Sequence, residues 1–232
     1  MGTTWEQVET AALTYIKNDI SLNNDLAERL PVFYNRMAAY MRAGMAKFNR
    51  PPEMQVILSN TTEPDFDSYV YEPEDDIDAG GTIVQQEFAG YDICSVGIVG
   101  EDSVGTPIYT PVAVTAYDGE TGTITVGESV FAGTALTVDL YKSAEFAETL
   151  TNQQIDILAN CLLNAYEHRF DNNILERTPK IRDGAFTTVS EASTTQANTA
   201  RQSLLDDELN DMLRAYEQQR EYMTVAYRIH KW

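Results

Sequence analysis

The sequence predicts an α+β fold: a helical bundle from the N- and C-terminal segments, with a small antiparallel β-sandwich or barrel module inserted between them. Three observations predict it. Apolar residues recur at helical spacing before residue 51 and after residue 150, but alternate with period two between 82 and 141. Turn chemistry changes in step, from helix caps at the ends to Gly- and Asp-rich turns in the middle. The charge divides at the same places. Residues 51–141 hold 17 acids and not one lysine or arginine, whereas the remaining 141 residues hold all 16 bases and 19 acids. The net charge of −20 is therefore −17 from the middle and −3 from the ends.

Length and composition bound the class. A chain of 232 residues buries a sizeable core, and 43% hydrophobic residues exclude a disordered chain. The start, Met-Gly-Thr-Thr-Trp-Glu, has an acid where a basic leader would sit, so no signal peptide is expected. The longest charge-free run, Ser103 to Tyr117, is broken by Gly105, Pro107 and Pro111, so no membrane span is expected either. Cys94 and Cys161 lie far apart in unlike contexts, which reads as two reduced core residues and synthesis in a cytoplasm.

Residues 1–53 are expected to be helical. Thr4 and Gln7 have the spacing of a capping box, and Val8, Ala11, Ala12, Tyr15 and Ile16 follow at helical spacing. Asn23-Asn24-Asp25 marks a break or a second cap. Pro31 suits the first turn of a longer helix whose stripe is Phe33, Met37, Tyr40, Met41, Gly44 and Phe48, opposite Arg36, Arg42 and Lys47. Met37, Met41 and Met45 read as core filler in preference to an adaptable docking surface. Pro51-Pro52 ends this helix.

Residues 54–81 are read as a short strand, Met54–Leu58, followed by an extended acidic connector from Asn60 to Gly81. Asp65, Asp67, Glu72, Glu74, Asp75, Asp76 and Asp78 make the connector an acidic docking surface. Asp75, Asp76 and Asp78 offer clustered oxygens to Ca2+, but their spacing lacks the alternation and the closing acid of an EF-hand loop. A solvated acidic loop is the preferred reading.

Residues 82–141 are expected to form the β module, with strands at Thr82–Phe88, Tyr91–Val99, Thr110–Tyr117, Gly122–Val126 and Leu136–Tyr141. Turn residues separate them, notably Asp118-Gly-Glu-Thr-Gly122 and Ala132-Gly133. Residues 142–232 return to helices. A second capping box, Thr151 to Gln154, opens a helix through Phe170 with Ile155, Leu158, Ala159, Leu162, Ala165 and Tyr166 on one face. Asn172 to Gly184 is an irregular basic turn, and Ser190 to Ala200 is weakly helical. From Arg201 a clear stripe runs through Leu205, Leu209, Met212, Leu213, Tyr216 and Arg220, and Tyr222 to Trp232 fits a helix extension or a terminal strand.

Catalytic patterns are scarce. His168 and His230 have no Cys or His at ligand spacing, and neither a Gly-x-Ser-x-Gly elbow nor a phosphate loop occurs. Among 36 acids a carboxylate pair carries no signal of glycoside hydrolysis, so neither an enzyme nor a cofactor is expected. An alternative function is a carbohydrate- or receptor-binding module using Tyr109 or Tyr117. Arg177, Lys180 and Arg182 would face an acidic partner, including the middle module of another copy. Acidic modules and basic ends suit head-to-tail contacts, the geometry that closes into a ring.

One run carries a family likeness: Asp118-Gly-Glu-Thr-Gly-Thr-Ile-Thr-Val126, then Ala132-Gly-Thr-Ala-Leu-Thr-Val-Asp-Leu-Tyr141, then the helix Leu150 to Phe170, Asn172-Asn173 and Phe186. Over residues 118–230 the chain resembles the head-to-tail adaptor, or connector, ring proteins of tailed-bacteriophage necks. The resemblance implies a homo-oligomeric ring, commonly twelve-fold, docked under the portal protein and against a further neck or tail protein. Such a ring encloses the channel through which the genome passes, without catalysis, membrane contact or specific DNA binding. By their charge, the acids of residues 65–78 are expected to line such a channel, where an acidic lumen repels the DNA backbone, or to face outward as a docking surface. Tyr227, Arg228 and Trp232 are the expected portal contact.

Overall fold

Thr4 caps the first helix as its spacing predicts, its hydroxyl accepting from the Gln7 amide while the Gln7 side chain accepts from the Thr4 amide. The computed structural model describes residues 2–14, 29–101, 103–105, 107–169 and 191–229. Within them the chain forms five α-helices and two antiparallel sheets: a mixed α+β architecture whose sheets are not closed into a barrel, one of the two forms expected. The helices are α1 (Trp5–Leu13), α2 (Leu30–Lys47), α3 (Pro52–Ser59), α4 (Asn152–Arg169) and α5 (Glu191–Ile229). No helix among the described residues is long and apolar enough to cross a membrane. The Asn23-Asn24-Asp25 break lies outside the described residues.

In α2 the predicted stripe is the buried one: Phe33, Met37, Met41 and Gly44 face the core, and Phe48 at the C-cap is fully buried. The methionines at 37 and 41 are core filler, as read from the pattern. Opposite them in α4, the Thr151–Gln154 capping box is present, and Leu158, Ala159, Cys161, Leu162 and Tyr166 are buried. Gly44 lets these helices approach closely, because a Cβ there would come within 2.8 Å of the Leu162 amide nitrogen. The long α5 lies on this pair through Leu209, Leu213 and Tyr216.

The expected strand Met54–Leu58 is instead helix α3. Pro52 takes the first helical position, where its missing N–H costs nothing, and Glu53 complements the positive end of the helix. Met54 and Leu58, four apart, are buried, while Gln55 and Val56 between them are exposed. That is a helical burial pattern hidden inside a short apolar run.

The expected connector is also corrected, since residues 65–71 form strand β1 (Asp65–Tyr71). The other strands are β2 (Thr82–Val84), β3 (Ile93–Glu101), β4 (Pro107–Val112), β5 (Val114–Asp118), β6 (Thr123–Val126) and β7 (Leu136–Lys142). One sheet runs β1-β7-β3-β4 and the other β2-β6-β5. The expected strand Thr110–Tyr117 is thus two strands, broken at Ala113 where the chain passes from one sheet to the other. The expected strand Thr82–Phe88 stops at Val84, and Gln86–Phe88 form a 3-10 turn that sends Phe88 into the core. The β5–β6 hairpin turns through Gly122 at φ +67, a left-handed conformation that favours glycine.

Two apolar clusters result, and β7 is the wall between them. Its Leu136, Val138 and Leu140 join Ile83, Phe88, Val96, Val112, Ile124 and Val126 from both sheets. On its other face, Tyr141 joins the helical core of Trp5, Phe33, Met37, Met54, Leu158 and Leu209, stacking on Tyr34 with centroids 5.6 Å apart. A strand buried on both faces cannot show the alternation of a half-exposed one.

Candidate interface: the acidic sheet and its buried ion pair

Strand β1 is an edge of the four-stranded sheet, in unbroken antiparallel register with β7 from Asp65 opposite Lys142 to Tyr71 opposite Leu136. It carries Asp65 and Asp67, and the loop after it carries Glu72, Glu74, Asp75, Asp76 and Asp78. Sequence reasoning placed these seven acids on one surface, but the structure separates their roles. Asp65, Glu72, Glu74, Asp75 and Asp78 are exposed, with no ion-pair partner among the described residues. Asp67 is half-buried and accepts hydrogen bonds from the Tyr91 hydroxyl and, at 3.5 Å, from that of Tyr69.

Asp76 also has a structural task, its Oδ1 accepting from the Ala132 amide at 2.8 Å. The loop around it is laced to the 126–133 segment: Ile77 and Val130 exchange both backbone hydrogen bonds at 2.8 Å, and Gly80 donates to the Val126 carbonyl. Among the described residues, no group of three or more His, Cys, Asp or Glu side chains is arranged to hold a metal ion.

The cation that the acidic module lacks arrives from a helix. Arg29, at the N-cap of α2, donates from Nε and Nη2 to the two carboxylate oxygens of Asp139, both at 2.8 Å. Asp139 lies in the middle of β7 and is fully buried. The Ser68 hydroxyl of β1 donates to the same carboxylate at 2.8 Å. Arg29 also sits over the Tyr109 ring of β4, 4.6 Å from its centroid. That ring lies across Gly97 of β3, where an added Cβ would come within 2.2 Å of it. One arginine therefore ties α2 to every strand of the four-stranded sheet. Neither Arg29 nor Asp139 was singled out from sequence. The available signal was an acid interrupting Leu136-Thr-Val-Asp-Leu-Tyr141, a run otherwise fit for burial.

The rings named for carbohydrate binding have packing roles here. Tyr109 is taken up by Gly97 and Arg29, and the Tyr117 hydroxyl donates to the Phe88 carbonyl at 2.5 Å. A second buried carboxyl went unnoticed in the sequence. Glu9 of α1 is fully buried, and neither of its oxygens has a hydrogen-bond partner among the described residues. Burial pushes its carboxyl up to about 8, and the nearby Glu6 carboxylate adds to the effect. The buried Tyr141 hydroxyl beside it is also without a partner and is raised chiefly by burial, then by Glu9.

Cys94 and Cys161 are both free thiols, each pushed up to about 12 mainly by burial, which makes them poor nucleophiles. His168 does not stand alone at its helix end: its Nε2 lies 3.2 Å from Asp206 of α5.

Of the proposed partner contacts, Arg177, Lys180, Arg182 and Trp232 lie outside the described residues. Tyr227 and Arg228 fall in the last turns of α5, which resolves the ambiguous tail as helix to Ile229. That helix begins at Glu191, ten residues before the expected start, so the Ser-, Thr- and Ala-rich stretch is helical as well. No family model, characterised protein or solved structure matches this chain.

Proposed function

We propose that this chain is a structural subunit of a ring in a bacteriophage neck, joining portal and head to tail and lining or surrounding the DNA channel. In this reading the helices of both ends form one bundle and the two sheets one inserted sandwich. The role has no catalytic step, and the protein is made in the host cytoplasm and carried in the virion.

The observation that carries it is the placement of charge. The exposed Glu72, Glu74, Asp75 and Asp78 have no cation in ion-pair reach among the described residues, while every base lies in the ends of the chain. A surface of one sign repels the DNA phosphates and attracts basic residues of a neighbour. The length of α5 supports the same reading. Its 39 residues span about 58 Å, against about 27 Å for the 18-residue α4 on which it packs. A helix that outruns its partner by about half its length suits contact with other subunits. Arg177, Lys180 and Arg182 would meet the next copy, and Tyr227, Arg228 and Trp232 the portal.

The test is quantitative peptide mass spectrometry of purified particles, counting this chain against the major capsid protein. About a dozen copies per particle is the expected result for one closed ring. Hundreds would make it a decoration or tail-tube protein, and absence would overturn the reading. The triple change R177E/K180E/R182E is expected to block incorporation into particles.

A further inference from the structure

The two edges of the four-stranded sheet are unlike. Edge β4 is guarded, because Pro107 and Pro111 remove two backbone donors and hinder the addition of another strand. Edge β1 has no proline, glycine or lysine in its seven residues and no bulge in its register. About half of its N–H and C=O groups point away from β7, as in any edge strand. Val70 on this strand is 73% exposed, and Asp65 and Ser68 are exposed too.

Charge decides what such an edge accepts. Asp65 stands at one end of β1, beyond a Glu63 that is paired with Arg42, and the unpaired Glu72, Glu74 and Asp75 stand at the other. Antiparallel pairing of two β1 strands would place the acids of one end against those of the other, at both ends. Like charges opposite each other oppose that pairing. Among the strands only β7 carries a base, Lys142, and β7 is already paired on both sides, so no strand of the module can do better. An added strand has to be extended, basic and drawn from outside the module. Outside the module, Lys180-Ile-Arg-Asp-Gly-Ala-Phe-Thr-Thr-Val189 has the composition for it, two bases against one acid leading into aromatic and β-branched residues. We propose that edge β1 is a strand-acceptor site, occupied in the assembled protein by residues 180–189 of a neighbouring copy.

The inference rests on the ring reading for its partner, but it fails separately. The copy number per particle is indifferent to which strand joins which edge. The probe is a synthetic peptide of residues 180–189 added to the purified full chain, with single-residue amide exchange followed by NMR. Within a closed assembly the segment acts at an effective concentration of about 1 mM, so peptide is added to that level. The expected result is slowed exchange, tenfold or more, at alternate residues of 65–71. It should weaken as salt rises, vanish in the E72K/E74K variant and vanish for the peptide carrying K180E/R182E. A melting temperature for E72K/E74K no lower than that of the wild type shows that its fold is intact. No protection in β1 at about 1 mM would overturn the proposal. So would equal protection by the charge-reversed peptide, or protection of β4 in place of β1.

Discussion

Removing the Arg29 guanidinium would leave Asp139 at the centre of β7 with only the Ser68 hydroxyl against it. A carboxylate with no solvent exposure loses far more from that than an exposed one, because water cannot replace the lost donors. Arg29→Met keeps the stem and deletes the charge, and is expected to cost about 3–5 kcal/mol, the range for breaking a buried pair. Thermal melting would read this as a drop of about 10 °C in a chain of this size. Replacing both partners, R29M/D139L, should recover much of the loss, since neither then strands a charge. A drop of only a degree or two for R29M would mean that water reaches Asp139.

Glu9 has the opposite signature. Its folded-state carboxyl is raised from 4.5 to about 8, so the native state holds a proton that the unfolded chain has released. Stability therefore falls as pH rises from about 4.5 to about 8, by on the order of 5 kcal/mol in all, and levels off above. The groups facing it set the same sign. Glu6 and, behind it, Asp92 are acidic, Tyr34 and Tyr141 are neutral in this range, and Arg42 is already paired with Glu63. Urea midpoints at pH 5, 6, 7 and 8 should fall for the wild type and stay nearly level for Glu9→Gln. The difference between the two proteins isolates Glu9 from every other titrating group. Parallel curves would show that Glu9 reaches water. The sequence did hold a clue, because Glu9 shares the helical face of Trp5 and Ala12 at spacings of four and three.

At the scale of elements, legibility followed periodicity. Helices α1, α2 and α4 have caps or an N-terminal proline and a single apolar stripe, and the sequence foretold each within a few residues. Helix α3 and strand β1 were misread for one physical reason. Each has only seven or eight residues, too few for its period to emerge, and tertiary contacts decide its form. The α2–α4 contact shows how far such contacts outrank local preference. Gly44→Ala should favour helix by about 1 kcal/mol on propensity alone. The added Cβ, however, would lie 2.8 Å from the Leu162 backbone nitrogen, and backbone cannot swing aside as a side chain can. Overpacking of this kind costs about 1–3 kcal/mol and leaves the variant less stable than wild type. A lower melting temperature for G44A is the expected outcome, and a higher one would mean that the two helices can part without loss.

For the whole molecule, the division of charge was plain in the sequence, but the way the fold tolerates it was not. The carboxylates of residues 51–141 repel one another across the module's surface, and the exposed ion pair Arg42–Glu63 does little to offset this. The neutralisation of Asp139 by Arg29 joins residues 110 apart in sequence, and no local pattern records it. Salt separates these contributions. Raising sodium chloride from 0.01 M to 1 M shortens the screening length from about 30 Å to about 3 Å, which weakens interactions between exposed charges but hardly touches a buried pair. If repulsion within the acidic module dominates, the melting temperature should rise by several degrees over that range. R29M should rise in parallel from its lower starting point, because the interaction it lacks is not one that salt screens. A fall with salt would mean that surface ion pairs, not self-repulsion, govern the stability of this chain.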